Sequence, residues 1–391
     1  MNFTSLDDLA QHREAARLWA VENIRPDWAR EQYQSETNHT AELHALLARD
    51  GILGAGWPRA YGGSEVNPDF ARAVLDEVSD AGLYTDGWAT TNMVLQTIQS
   101  LGTEEQKTTI LPAALRGEVL IALGYTEPDS GSDVAAAKTR ALRDGDEWTI
   151  DGQKMFTSSA HFCTHVFVLT RTNPDVAKHK GLTMFLVPTN VEGFELQPIR
   201  TLGGPRLNAT FFSQVRVSDS MRVGDVDDGW RVMREALIHE RAGSKGMAKP
   251  ALAAKAAALA MSSDRSDGTT LYDDPRNRER LARIAIDEEV GRLLGQRVRW
   301  MSSIGQSPGV EGSMAKLFTS EAALRHYSEL LDMLGADGVL QPGAGGAALD
   351  GELEAHFRSS VVRTIYGGAS EIQRDIIAEG RLGLPRNRPR G

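Results

Sequence analysis

The sequence predicts an α+β chain with a small sheet or barrel inserted between two helical regions. Three observations predict it. Apolar residues recur at helical spacing up to about residue 118 and again from about 226. Between those points, short β-branched and aromatic runs are punctuated by Gly, Asn, Asp and Pro. The length of 391 residues suits two or three domains at roughly 150 residues each. The expected division is helical over 1–118, β-rich over 119–225 and helical over 226–391.

The elements follow in order. Gly51 to Trp57 and Tyr61-Gly62-Gly63 break the chain between early helices. A helix opens at Thr103, Glu104 and Glu105, whose acidic side chains suit the positive end of a helix dipole. Ile110, Leu111, Ala114 and Leu115 give that helix its apolar face. Strands are expected at Val166–Thr170, Leu182–Val187, Phe194–Ile199 and Thr210–Val217. Asp144-Gly145 and Asp151-Gly152 read as turn dipeptides on either side of Trp148-Thr149-Ile150. Further on, Pro250 to Met261 reads as an Ala-rich buried or interfacial helix. Ile286, Val290, Leu293, Leu294, Arg297, Val298 and Met301 fall on one face of a long helix, and Gln341 to Gly351 reads as a loop. There is no internal repeat.

Composition removes several function classes. Lys+Arg 43 against Asp+Glu 53 leaves a net charge of −10, without the cationic excess that neutralises nucleic-acid phosphates. No apolar run approaches the roughly 18 residues of a membrane span. Met1 to Ala20 carries Asp7, Asp8 and Glu14 and no apolar core, so it is not a secretory signal, and a cytoplasmic location is expected. The single cysteine, Cys163, excludes an internal disulfide framework and a Cys-rich zinc site. His161, His165 and His179 show no metal-ligand spacing, so no metal is expected.

Three patches carry chemistry. Gly124 to Asp133 (GYTEPDSGSD) ends a strand and is dense in hydroxyls and turn formers. On composition it is either a hydrogen-bonded surface loop or a loop that holds a polar cofactor. Gly152 to Ala160 (GQKMFTSSA) is either a plain strand or an aromatic followed by hydroxyls that flank a flat conjugated ring. Tyr366 to Arg374 (YGGASEIQR) is a glycine turn opening a helix, which exposes free N–H groups to an anion or a carbonyl oxygen.

Taken together, these patches resemble the acyl-CoA dehydrogenase family of FAD flavoproteins over nearly the whole chain. The family's Thr-Glu-Pro-x-x-Gly-Ser-Asp motif is matched at Thr126, Glu127, Pro128, Gly131, Ser132 and Asp133. Leu101-Gly102-Thr103-Glu104-Glu105-Gln106-Lys107 with Leu111-Pro112 also agrees. The resemblance implies an N-terminal helical domain, a central β-barrel and a C-terminal four-helix bundle, with non-covalent FAD. It implies flavin contacts at Leu123, Tyr125, Thr126, Phe156, Ser158 and Glu371, with Ser132 on FAD phosphate or the CoA thioester arm and Arg241 on the substrate. Phe156 stands where the family usually has Trp, Ser158 where it has Thr beside flavin N5, and Ala369 where it has Thr.

The family reaction removes a proton α to a thioester carbonyl while hydride leaves the β-carbon for flavin N5. An α-proton is weakly acidic, so a base must be placed and the enolate-like charge stabilised. Many members supply Glu from a Tyr-Glu-Gly turn, and here that position is Gly367. A second family arrangement puts Glu directly before Arg on a C-terminal helix, and this chain reads His239-Glu240-Arg241. The resemblance therefore makes Glu240 the base and leaves the Gly367 backbone N–H as an oxyanion donor. Desolvation beside an acyl chain would raise the carboxylate's pKa and favour proton abstraction. Glycine at 367 also removes bulk, so a branched or ring-bearing acyl group is expected.

Two departures concern assembly. Family homotetramers grip a neighbour's FAD with an Arg near Phe-Gly and a Gln before Gly-Gly. Here the first region reads Leu271-Tyr272-Asp273-Asp274-Pro275-Arg276, and Asp332 stands where the Gln is expected. This is similar to family members that form α2β2 complexes on steroid side-chain thioesters. The expected partners are an acyl-CoA substrate, an electron-transfer flavoprotein as acceptor, and either three copies of this chain or a sister chain. Two other readings are a non-catalytic or half-site subunit of a heterotetramer, and a flavin oxidase or monooxygenase on the same fold. Glu240 argues against the oxidase.

Overall fold

The computed structural model describes residues 6–35, 37, 39–243, 251–263 and 265–386. The chain divides into two compact units. One comprises Met1–Thr201 with Pro205–Glu240, and the other Leu202–Gly204 with Arg241–Gly391.

In the first unit, helices α1 (Leu6–Asn23), α2 (Trp28–Gln34), α3 (Ala41–Arg49), α4 (Pro68–Asp80), α5 (Asp86–Leu101) and α6 (Glu104–Leu115) precede the sheet. Their starts are chemically marked. Asn67 caps α4 by accepting from Asp69 N and Phe70 N, with Pro68 in the first turn where no N–H is needed. Thr103 and Gln106 form a reciprocal capping box on α6. Gln106 then donates from Nε2 to the carbonyls of Ser220 and Arg222, at 2.7 and 2.8 Å. A short cap motif in the sequence thus ties a helix to the far end of the sheet.

The strands are β1 (Ile121–Gly124), β2 (Arg140–Asp144), β3 (Glu147–Lys154), β4 (His165–Arg171), β5 (Leu182–Pro188), β6 (Phe194–Ile199), β7 (Leu207–Ser218) and β8 (Arg222–Val223). They form one mixed sheet in the order β6-β7-β3-β2-β4-β5-β8, with β1 beside β4. The β1–β4 and β2–β4 pairings are parallel and the others antiparallel. The helices and the sheet share one core: Phe167, Leu169, Met184 and Leu186 pack with Val94, Ile98 and Leu111. The opposite pleats of the same strands, Val166, Val168, Phe185 and Val187, join Trp148, Ile150 and Phe212 in a second core. Strands buried on both faces read as continuous apolar runs, which is why β4 and β5 were plain in the sequence. Helix α7 (Gly229–Gly243) follows the sheet.

One turn expectation is corrected. Asp151-Gly152 lies inside β3, not at a strand end. The irregularity is on β7, where Ile150 pairs with Val215 but Gly152 pairs with Phe212. The extra residue bulges at Gln214, whose φ is 55°. The Asp151 carboxylate accepts the Gln214 N–H at 2.9 Å, doing for the bulge what a turn aspartate does for a turn. Gly152 is required for a different reason: a Cβ there would lie 2.7 Å from Thr139 Cα.

The second unit holds α8 (Ala251–Ser262), α9 (Pro275–Ser303), α10 (Gly309–Leu334), α11 (Glu352–Ser360) and α12 (Ser370–Gly380). Its core is Ala256, Ala260, Leu281, Ile284, Leu330, Met333 and Leu353. The long helix predicted from its stripe is present as α9, but most of the stripe is not the buried face. Ile286, Val290 and Leu293 are exposed, whereas Leu281, Ile284 and Val298 are buried. Among the described residues that outer apolar face of α9 is left exposed.

No helix among the described residues is long and apolar enough to cross a membrane.

Candidate functional site

Two of the three sequence patches come together in the first unit. β1 ends at Gly124, and the hydroxyl-rich loop leaves from it. β3 ends at Lys154, and the Phe156 turn leaves from there. The two exits are joined directly, because Met155 N donates to Thr126 O at 2.8 Å.

Below that bond lies a buried ion pair. Lys154 Nζ donates to Glu127 Oε1 at 2.7 Å and lies 3.4 Å from the Tyr125 carbonyl. Lys154 is 0% exposed. Glu127 also accepts the backbone N–H groups of Lys138 (2.6 Å) and Thr139 (2.9 Å), which closes the loop on itself. Burial works against the Glu127 charge, but the Lys154 ammonium and these donors together lower its pKa. Burial dominates at Lys154 and brings its pKa down to about 8, against the attraction of Glu127. A buried pair of this kind is costly to break, since either partner left alone is an uncompensated charge.

The Phe156 turn is strained and presented outward. Phe156 has φ 58° and Ser159 φ 66°, left-handed values that bulky residues rarely adopt. Phe156 is 55% exposed. Ser158 is exposed, while Thr157 and Ser159 on either side of it are buried. The turn is held from inside: Thr157 N donates to Asn208 O, and Asn208 Nδ2 donates to Thr157 O at 3.0 Å. Strain kept in place by surrounding hydrogen bonds marks a functional turn more than a plain strand end. An outward aromatic and hydroxyl beside the half-buried Thr126 fit a flat ring with a polar edge, as FAD has.

The remaining expected contacts divide. Leu123 and Tyr125 are half-buried and pack on the core shared with the helices, Tyr125 with its ring centroid 6.3 Å from that of Phe167. Ser132 is exposed further along the loop, next to Asp133, which binds Lys178 at 2.6 Å. Glu240 and Arg241 belong to α7, and their side chains lie outside the described residues.

The third patch belongs to the second unit. Gly367 and Gly368 have φ 62° and 91°, conformations that a side chain would strain. Gln373 Nε2 donates to both their carbonyls at 3.0 and 3.1 Å, and Lys316 Nζ donates to the Gly368 carbonyl at 2.7 Å. Glu371 is exposed in the first turn of α12. Ala369, at the N-cap, makes no side-chain cap. Of the two departures, Asp274 caps α9 and pairs with Arg276 at 3.0 Å, so that arginine is already engaged. Asp332 is exposed on α10.

The thiol of Cys163 is buried and pushed up to about 12, which leaves it unreactive near neutral pH. Among the described residues no group of three His, Cys, Asp or Glu could hold a metal ion.

Sequence reading missed the residues that act from behind the patches. Lys154 was visible at even spacing from the inward Trp148 and Ile150, and that alternation was the signal for a buried lysine. Asn208 and Lys316 gave no local signal, because their partners are backbone atoms distant in sequence, whereas Gln373 lies within the third patch itself.

A helical region, an inserted mixed sheet and a second helical region, with polar turns gathered at strand ends, define the class: an enzyme scaffold of the helix–sheet–helix type. Three family models match in order: the acyl-CoA dehydrogenase N-terminal domain over residues 7–118, the middle domain over 122–217 and the C-terminal domain over 227–382. The chain belongs to the acyl-CoA dehydrogenase family. Members are flavoproteins, with FAD the usual cofactor. The chain is 36% identical to the acyl-CoA dehydrogenase FadE26 of Mycobacterium tuberculosis over 356 residues, 88% of each protein. It superposes on the Tcur3481-Tcur3483 steroid ACAD with a TM-score of 0.89 and 35% identity, covering 99% of this chain and 100% of that one. It matches the ChsE4-ChsE5 complex from Mycobacterium tuberculosis with the same score, identity and coverage.

Proposed function

We propose that this enzyme dehydrogenates the α,β-bond of a branched or bulky acyl-CoA thioester, with Glu240 as the base. The observation that carries the reading is the Gly367–Gly368 turn. It lacks the carboxylate that many members place there, yet its carbonyls are pinned by Gln373 and Lys316. A turn kept rigid without its acid suits a donor role, and a Glu at the alternative family position supplies the base.

In this reading Glu240 takes the α-proton, and the Gly367 N–H donates to the thioester oxygen as negative charge grows there. Arg241 binds the substrate. Bound FAD supplies the hydride acceptor. Leu123, Tyr125, Thr126, Phe156, Ser158 and Glu371 are assigned to the cofactor, and Ser132 to cofactor phosphate or the thioester arm. The absent side chain at 367 leaves room for a branched or ring-bearing acyl group.

The partner reading is an oligomer in which a sister chain completes the flavin site. The outer apolar face of α9, the engaged Arg276 and the exposed Asp332 support it. So does the occurrence of two heteromeric complexes among the similar structures. The test is the flavin content of the chain purified alone. A substoichiometric content that rises when a sister chain is co-expressed is expected, and full flavin absorbance from the lone chain would remove the need for one.

A further inference from the structure

The buried Lys154–Glu127 pair is used by no step above, yet it joins the Tyr125–Thr126 segment to the strand end from which the Phe156 turn leaves. Three successive residues of the loop are gripped by two successive residues at the end of β3. The Tyr125 carbonyl faces Lys154 Nζ at 3.4 Å, the Thr126 carbonyl accepts Met155 N at 2.8 Å, and the Glu127 carboxylate accepts Lys154 Nζ at 2.7 Å. On one side of this clamp the chain continues to Phe156 and Ser158, and on the other lie Tyr125 and Thr126. The lysine stem runs alongside Gly124 in ordinary contact range, 3.5 Å from Lys154 Cγ to where a Cβ would lie.

Simple packing would not need a charge here. A leucine or methionine on the inward face of β3 would avoid the desolvation of an ammonium ion. What an apolar residue could not supply is a directional tie to a carbonyl and a carboxylate across the gap between two loops. The other charged group that acts on Lys154 is Arg171 of β4. It is occupied in donating to the carbonyls of Ala135, Ala137 and Lys178, so it braces the far end of the same loop.

We propose that Lys154 and Glu127 are positioning residues for the reaction, setting the distance between the Tyr125–Thr126 segment and the Phe156–Ser158 turn and so fixing the seat of the flavin ring. The inference rests on the flavin reading of those two segments.

The test uses the full chain, co-purified with any sister chain, as wild type, Lys154→Met, Glu127→Gln and the double variant. The readouts are the visible circular dichroism of bound flavin, the flavin Kd, and kcat and KM for an acyl-CoA thioester. Lys154→Met is expected to keep the wild-type far-ultraviolet spectrum, change the visible flavin spectrum, weaken flavin binding about ten-fold and lower kcat more than it raises KM. The double variant recovers part of the lost affinity, because no lone charge stays buried. In the wild type the visible spectrum shifts as pH rises through about 8, where Lys154 gives up its proton, and the shift is absent from Lys154→Met. If Lys154→Met does not fold, Glu127→Gln is judged by the same measures. Flavin spectra and affinities indistinguishable from wild type in the folded variants would overturn the positioning role alone. A wild-type complex that takes up no flavin would overturn the underlying reading, and the role with it.

Discussion

Two parts of the molecule face the same demand, to hold backbone groups still, and meet it differently. At the sheet, the loop after β1 is anchored by a fully buried ion pair and the strained Phe156 turn is fixed by Asn208. At the glycine turn before α12, the buried amide of Gln373 and the ammonium of Lys316 hold carbonyls instead. The first keeps the family's loop motif from Thr126 to Asp133 and changes side chains only in the turn, at Phe156 and Ser158. The second has lost the motif's acid and keeps only its backbone. Where the chemistry of a site depends on side chains, substitution is legible; where it depends on a backbone shape, the acid can go and the shape persist.

The largest effect expected on this comparison comes from the proposed base, Glu240. Glu240→Gln should retain flavin and slow substrate-dependent flavin reduction by roughly 10²–10⁴-fold in rapid-mixing experiments. Unchanged turnover would instead make this chain a silent partner.

Next comes the glycine turn. Gln373→Leu leaves the Gly367 carbonyl without its Gln373 partner and should destabilise the chain by about 1–3 kcal/mol in denaturant melts. It should also cut kcat while the flavin spectrum stays that of the wild type. A shifted flavin spectrum would mean that the two regions are not independent.

An effect of similar size is expected in acid, and it falls on the first unit. Burial holds His44 neutral with its pKa lowered to about 4, helped by nearby His39, and burial alone does the same for His165. An unfolded chain takes up these protons near pH 6.5, which the folded chain refuses until about pH 4. Stability therefore falls as pH drops from 6.5 to 4, by on the order of 2 kcal/mol per histidine. Thermal melts across that range should show a gentler slope in His44→Gln.

The smallest effect is at the β7 bulge. Asp151→Ala leaves the Gln214 N–H without its carboxylate at an exposed position and should cost about 1 kcal/mol or less in melts, with flavin binding unchanged.

Much of the fold was legible before the structure. Strand residues such as Val166–Thr170 and Leu182–Val187 are buried on both faces, so their composition announces them. The Thr103 cap is a local pattern and was equally plain. Asp151-Gly152 misled because the same dipeptide chemistry serves a turn or the partner of a bulge, and the bulge sits on a strand some sixty residues away in sequence. The α9 stripe identified a helix but not which face the chain covers, since an apolar face can belong to a partner as well as to a core. At the candidate site, the motifs marked the front residues. Lys154 as the hidden counterpart of Glu127 required the fold, because sequence alone does not pair residues 27 apart.

The central claim, dehydrogenation of a bulky acyl-CoA thioester, is tested most directly by anaerobic titration of the flavin-loaded protein with a panel of thioesters. Bleaching of the visible flavin absorbance by branched or ring-bearing acyl-CoA substrates is predicted. Bleaching by slim straight-chain thioesters alone would contradict the proposed pocket, and no bleaching by any thioester would contradict the claim itself.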